Sequence, residues 1–354
     1  MNRSLAFLAF AAPALVTPVL ADVPRVAVDI VPTAALTARV MEGLGTPSLV
    51  VPPMASPHGY ALRPSEAAAL EQADVVIRIG PALAPWFEEA TAALAPEATG
   101  LVLLDAPGTV LRALGEGHDH GDDDHGHEGE DDHGEDHAEH EDHGQDHGED
   151  HAHAHDDHAH EEHAHPDHAD GDHAHETAGA VEGPIDSHAW LDPRNGAVWM
   201  SAIAETLAAA DPQNAATYRA NAEAGAAELR ALEEDLIAIL APLRDRPYLT
   251  LHDAYGYLED RTGLDSAGSI RLSDAADAGP SHLSELRARL EVDGIACLFT
   301  EPQLDDRVAR RLLEGTDIPL ATLDPVGQEG DVGPGGYSSI LRRMADSMAA
   351  CLAP

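Results

Sequence analysis

Of the 23 histidines in this 354-residue chain, 19 fall between residues 118 and 175; only His58, His188, His252 and His282 lie elsewhere. The crowded stretch also carries 23 Asp and Glu, no Lys or Arg, and almost no apolar side chain beyond alanine. Imidazole binds zinc, copper and nickel, whereas carboxylate alone suits calcium or magnesium. The mixture points to a transition metal, zinc first. A stretch of this composition cannot bury a core, so residues 117–178 are predicted to form a disordered or loosely ordered loop. The four isolated histidines then gain weight. A lone histidine is more often a satisfied core or surface residue than a ligand. In a chain that already carries a metal-collecting loop, three of them are read as one site: His58, His188 and His252.

Each of the three sits where a strand-like or proline-punctuated run has just ended. Ser48 to Val51 reads as a strand running into Pro52-Pro53-Met54-Ala55-Ser56-Pro57-His58, a rigid loop. His188 follows Pro184-Ile185-Asp186-Ser187, and His252 follows the strand Tyr248 to Leu251. In open α/β sheets such positions gather at the carboxyl edge. Three imidazoles with a carboxylate or water complete a tetrahedral zinc set. Asp324, just beyond a predicted strand at Leu320 to Leu323, is the natural carboxylate candidate. His282 is assigned elsewhere. Ser281 reads as a helix cap, which places His282 in an opening turn as a structural or exposed residue.

The elements that must carry these residues alternate. Strands are predicted at Arg25 to Val31, Ser48 to Val51, Val75 to Ile79 and Leu101 to Leu104. Helices are predicted from Pro32 to Leu44 and, capped by Ser65, from Glu66 to Gln72. After the histidine tract, Pro212 to Leu240 reads as one long helix, with Tyr218, Ala222, Ala226, Leu229, Leu232, Leu236 and Leu240 at spacings of three and four. The βα pattern then restarts, with further strands at Ser266 to Ile270 and Ile295 to Thr300, and helices near Ser281 to Leu290 and Asp305 to Gly315. The fold class expected is α/β with mostly parallel sheets.

Composition excludes several functions. The formal charge is −44, and without the 23 acids of the tract it is still −21, which argues against nucleic acid and anionic membranes and favours cations. All 20 basic residues are Arg, so no lysine nucleophile or Schiff base is available. Residues 1–21 read as a secretory signal, with Arg3, an apolar run from Leu5 to Val16, and Val19-Leu20-Ala21 before Asp22. No other stretch is long and apolar enough to span a bilayer, and no cysteine lies near the cleavage site to carry a lipid. The mature chain is expected to be soluble and exported. Cys297 and Cys351 are an even pair, read as a disulfide or as two buried thiols. A zinc hydrolase would need a general base, and no H-E-x-x-H is present; catalysis is not expected.

Five motifs occur in order: His58-Gly-Tyr-Ala-Leu-Arg-Pro-Ser65, Ser187-His188-Ala-Trp-Leu-Asp-Pro193, His252-Asp-Ala-Tyr-Gly-Tyr257, Thr300-Glu-Pro-Gln303 and Leu323-Asp-Pro-Val-Gly327. From about Arg25 to Cys351 the chain thereby resembles the periplasmic zinc-binding proteins of ABC importers, the ZnuA type. The resemblance implies two α/β lobes, 22–211 and 244–354, bridged by a long helix in 212–243, with a His-rich insertion in the first lobe. It implies that His58, His188 and His252 are the zinc ligands; relatives specific for manganese usually carry Glu at the third position. It implies a Cys297–Cys351 disulfide, a periplasmic monomer, and a membrane permease as partner. Some zinc members carry an acid before the first histidine where this chain has Pro57, which leaves the fourth ligand open between Asp324 and water. Glu301 and Asp253 are candidates to orient the ligands.

Overall fold

Short β-branched runs alternating with helices give two four-stranded sheets in which every pairing is parallel. The structure is a computed structural model and describes residues 23–115, 183–271 and 279–354. The expected signal segment and the expected histidine-rich loop lie outside the described residues.

The first sheet contains β1 (Val26–Val28), β2 (Ser48–Leu49), β3 (Val75–Arg78) and β4 (Thr99–Val102), in the order β2-β1-β3-β4. Helices α1 (Val31–Val40), α2 (Pro64–Glu71) and α3 (Pro85–Leu94) connect its strands. Val26, Ala27, Val28, Val75, Val76 and Ile77 are all buried. A parallel strand covered on both faces reads as an unbroken apolar run, as these do. The chain then leaves the described residues at Gly115 and re-enters at Gly183 through a narrow two-stranded base. There Ala113 bridges Ile185, Leu114 N–H donates to Pro184 O, and Asp186 N–H donates to Arg112 O.

Next come α4 (Pro193–Ala210) and α5 (Ala215–Leu240). Helix α5 buries Tyr218, Ala222, Ala226, Leu229, Leu232, Leu236 and Leu240, the same residues its periodicity selects. Its 26 residues span about 39 Å at 1.5 Å each. The second sheet contains β5 (Tyr248–His252), β6 (Ser269–Arg271), β7 (Cys297–Thr300) and β8 (Leu320–Thr322), in the order β6-β5-β7-β8. Helices α6 (Gly256–Thr262), α7 (Pro280–Val292) and α8 (Arg307–Leu312) belong to it. A final helix, α9 (Gly336–Leu352), packs against α5 and α1, and Cys351 on it is disulfide-bonded to Cys297 of β7.

Some local readings are corrected. Ser65 lies inside α2, where Pro64 takes the first helical position and the Glu66 carboxylate accepts the Arg63 N–H at 2.7 Å. Ser281 likewise lies inside α7, which begins at Pro280 after Gly279. Both errors share a cause: a proline one residue upstream is preorganised for the first helical position and displaces the serine from the cap. Helix α1 stops at Val40 rather than Leu44. Helices α3 and α9 are absent from the sequence reading. For α9 the signal existed, since Tyr337, Ile340, Leu341, Met344, Met348 and Leu352 recur at helical spacing.

The two sheets share one topology. Each runs from its first strand to one edge and then crosses to the other side. A crevice therefore opens at the carboxyl ends of β1 and β3, and another at those of β5 and β7. In the first crevice Asp29 is buried, its two oxygens accepting the Ile30 N–H at 2.8 Å and the Ile79 N–H at 2.6 Å. Burial pushes its carboxyl up to about 6, against the lowering effect of those N–H donors. An unfolded Asp titrates near 3.9. Between these values the folded chain holds a proton that the unfolded chain lacks. The stabilisation from that proton is complete below about pH 4 and is lost as pH rises through about 6. Two units correspond to about 3 kcal/mol. Urea unfolding of the wild type and Asp29→Ala from pH 4 to 7 should show the wild-type advantage shrinking by about that amount. A constant difference would remove Asp29 as the cause.

Candidate metal centre

His252 is the last residue of β5, and Glu301 directly follows the neighbouring strand β7. The two therefore meet at the second crevice, with His252 Nδ1 2.5 Å from Glu301 Oε1 and both side chains buried. His188 is held by a different device. Asp186 Oδ1 accepts the His188 N–H at 3.0 Å and faces His188 Nδ1 at 2.8 Å. That Asx-turn clamps both the backbone and the ring. The residues after His188 form a short helical turn stitched to the second half of the chain. Trp190 Nε1 donates to Pro325 O at 2.8 Å, and the Tyr337 hydroxyl donates to Trp190 O at 2.5 Å. Arg261 lies 3.2 Å from the buried carboxylate of Asp192.

The two rings consequently turn their Nε2 atoms toward one another. His188 Nε2 and His252 Nε2 are 3.2 Å apart, and the ring centroids are 5.1 Å apart. A neutral imidazole whose Nδ1–H is given to a carboxylate presents a lone pair at Nε2. With both rings in that tautomer two lone pairs would face one another, an arrangement that a cation between them satisfies. Two nitrogens bound tetrahedrally at 2.0–2.1 Å to one zinc would lie about 3.3 Å apart. The observed spacing fits.

His58 completes the group. It follows the proline loop after β2, and the Trp86 indole N–H fixes that loop by donating to Pro57 O at 2.9 Å. The His58 ring lies 5.4 Å from that of His188 and 6.3 Å from that of His252. One nitrogen from each of the three rings falls within 4.8 Å of the others. His58 is partly exposed, whereas His188 and His252 are 5% and 3% exposed. The site thus has a solvent side and a buried side.

Asp324 stands outside this three-histidine group. Its Oδ1 accepts from Gln303 Nε2 at 2.8 Å and from the Gly327 N–H at 2.9 Å, while its buried Oδ2 has no hydrogen-bond partner among the described residues. Tyr255, near the His252 ring, is no anionic ligand: burial first, then the charges of Glu301 and Asp324, push its hydroxyl pKa well above the usual value. His282 is away from the group, with Nε2 2.9 Å from Ser269 O. Sequence reasoning named Glu301 but missed Asp186. The available signal was its position two residues before a candidate ligand, where an Asx-turn brings carboxylate and ring together.

Known proteins agree with this architecture. A protein named high-affinity zinc uptake system protein ZnuA from Paracoccus denitrificans is 43% identical over 336 residues, covering 95% of this chain and 94% of the relative. A protein of the same name from Brucella abortus is 36% identical over 332 residues, covering 92% and 91%. A solved ZnuA structure superposes with a TM-score of 0.67 at 20% identity, covering 94% of this chain and all of that one, a likeness of fold. Residues 26–351 match the family ZnuA, described as zinc-uptake complex component A, periplasmic. On that match and on the curated relatives, the chain belongs to the ZnuA family.

Proposed function

We propose that this protein captures zinc in the periplasm and delivers it to the membrane permease of an ABC importer. His58, His188 and His252 are the protein ligands. Water or Asp324 Oδ2 takes the fourth position. The observation that carries this is the pair of buried imidazoles whose Nδ1 atoms face carboxylates and whose Nε2 atoms lie 3.2 Å apart. Two buried carboxylates behind neutral ligands favour a dication over a neutral molecule. The curated relatives are named for zinc uptake. The lobes are 22–211 and 244–354, joined by the helix in 212–243, and the exported chain works as a monomer. No helix among the described residues is long and apolar enough to cross a membrane. The site is read as a carrier rather than a catalyst, in keeping with the zinc-uptake names of the curated relatives. The tract at 118–175 gathers zinc weakly and interchangeably.

Zinc titration of the mature protein, with and without residues 118–175, tests this reading. One tight equivalent should survive the deletion, with only the weak equivalents lost. Protons compete with metal for imidazole, and solvated histidines titrate near 6.5. In the full chain the weak equivalents should therefore fade as pH falls through roughly 7 to 6 while the tight one persists. Loss of the tight equivalent first, or on deletion, would place it in the tract and refute the three-histidine site.

A further inference from the structure

Arg112 is not one of the three grouped histidine ligands. Yet it lies where the base of the histidine-rich insertion meets both ligand-bearing segments. Its Nε is 3.8 Å from Asp186 Oδ2, the oxygen opposite the one that clamps His188. Its Nη1 is 3.6 Å from Asp260 Oδ2 on α6. Its own N–H donates to the Tyr257 hydroxyl at 3.0 Å, and that hydroxyl donates to Asp186 O at 2.9 Å. The guanidinium also covers the start of α6, four residues after His252. A Cβ added at Gly256 would fall 2.1 Å from Arg112 Nε, so the approach requires glycine there. The side chain is 11% exposed, and Asp186 is 5% exposed.

We infer that Arg112 is a positioning residue for zinc: it holds Asp186 so that His188 stays aimed at His252, and it builds the base of the insertion into the site. This rests on the ligand assignment proposed above. The two separations are in the range of ion pairs rather than direct hydrogen bonds. Arg112 therefore acts as the counter-charge that keeps a buried carboxylate in place. Among the described residues no other arginine pairs with Asp186, so without Arg112 the carboxylate turns outward, releasing the His188 ring. Coulomb's law alone gives the opposite sign, because removing a positive charge near a cation site tightens binding. Position outweighs charge here, since Asp186 fixes the ring orientation directly, whereas the guanidinium is separated from the metal by a carboxylate and a ring.

The test uses the full mature chain and reads the tightest zinc equivalent by competition with a chelator, beside the visible spectrum of the cobalt(II) form. Arg112→Gln should weaken that equivalent about 10-fold, the lower end of what is lost when a ligand's hydrogen-bonded partner is removed. It should also change the cobalt spectrum, which reports ligand geometry. Arg112→Lys, keeping the charge without the planar fork, should recover part of the affinity. The melting temperature of the metal-free variants serves as the folding control. Unchanged or tighter zinc binding in Arg112→Gln overturns the inference, as does a lower melting temperature with an unchanged spectrum and affinity. Failure of the ligand assignment looks different: the wild-type tight equivalent would then be insensitive to His188→Ala.

Discussion

His252→Ala is expected to weaken the tight zinc equivalent by more than 100-fold, while any single histidine substitution in the tract changes it little. A full set of four ligands binds structural zinc with about 10–16 kcal/mol, so one ligand carries roughly 3 kcal/mol, a little over two decades. Removing His252 also leaves the buried carboxylate of Glu301 without the partner it holds at 2.5 Å, which costs stability of the fold rather than zinc affinity. His188→Ala should behave alike, because Asp186 loses its ring partner. His58→Ala should cost less than either, because His58 is partly exposed and water can enter its place. Asp324→Asn separates the two options for the fourth position. A further loss of about 10-fold or more assigns Asp324 Oδ2, and an unchanged affinity assigns water. Chelator competition on the four variants gives all these numbers. Equal small losses for the three site histidines and for tract histidines would sink the assignment.

The structure also shows which parts of this site sequence could reveal. His252 and the strand before it were legible because a buried parallel strand is an unbroken apolar run and its carboxyl end gathers ligands. The long helix was legible from its spacing, and its buried face is the one predicted. Convergence was not legible in the same way. His188 sits on a clamp made by Asp186 and on contacts from Trp190 to Pro325 and from Tyr337 to Trp190, across 135 and 147 residues. No local pattern encodes such distances; the ordered motifs supplied them through the family resemblance. Asp29 and Arg112 were missed for the same reason. Each looks like an ordinary charged residue until the fold surrounds it with Ile79 in one case and Gly256 in the other.

Breaking the Cys297–Cys351 disulfide is expected to cost stability far more than zinc affinity. The bond spans 54 residues, and in the chain-entropy model opening a loop of that size costs roughly 4 kcal/mol. At about 2–4 °C per kcal/mol, the melting temperature of the Cys297→Ser, Cys351→Ser variant should fall by about 10 °C. The loss stops short of unfolding because α9 has other anchors. It buries Tyr337, Ile340, Leu341, Met344 and Met348, its Ser347 hydroxyl donates to Thr322 O, and Arg246 Nε donates to Leu352 O. Zinc should respond weakly. The disulfide joins β7 to the last turn of α9, whereas the contact of α9 that steadies the His188 segment, Tyr337 to Trp190, lies at the opposite end of that helix. Melting curves and chelator competition on the double variant therefore separate two roles. A fall in melting temperature with affinity within about threefold of wild type fits a bond that secures the second sheet. A collapse of affinity in a variant that still melts cooperatively would mean that the far end of α9 sets the geometry of His188, and the frame around the metal would extend through the whole helix.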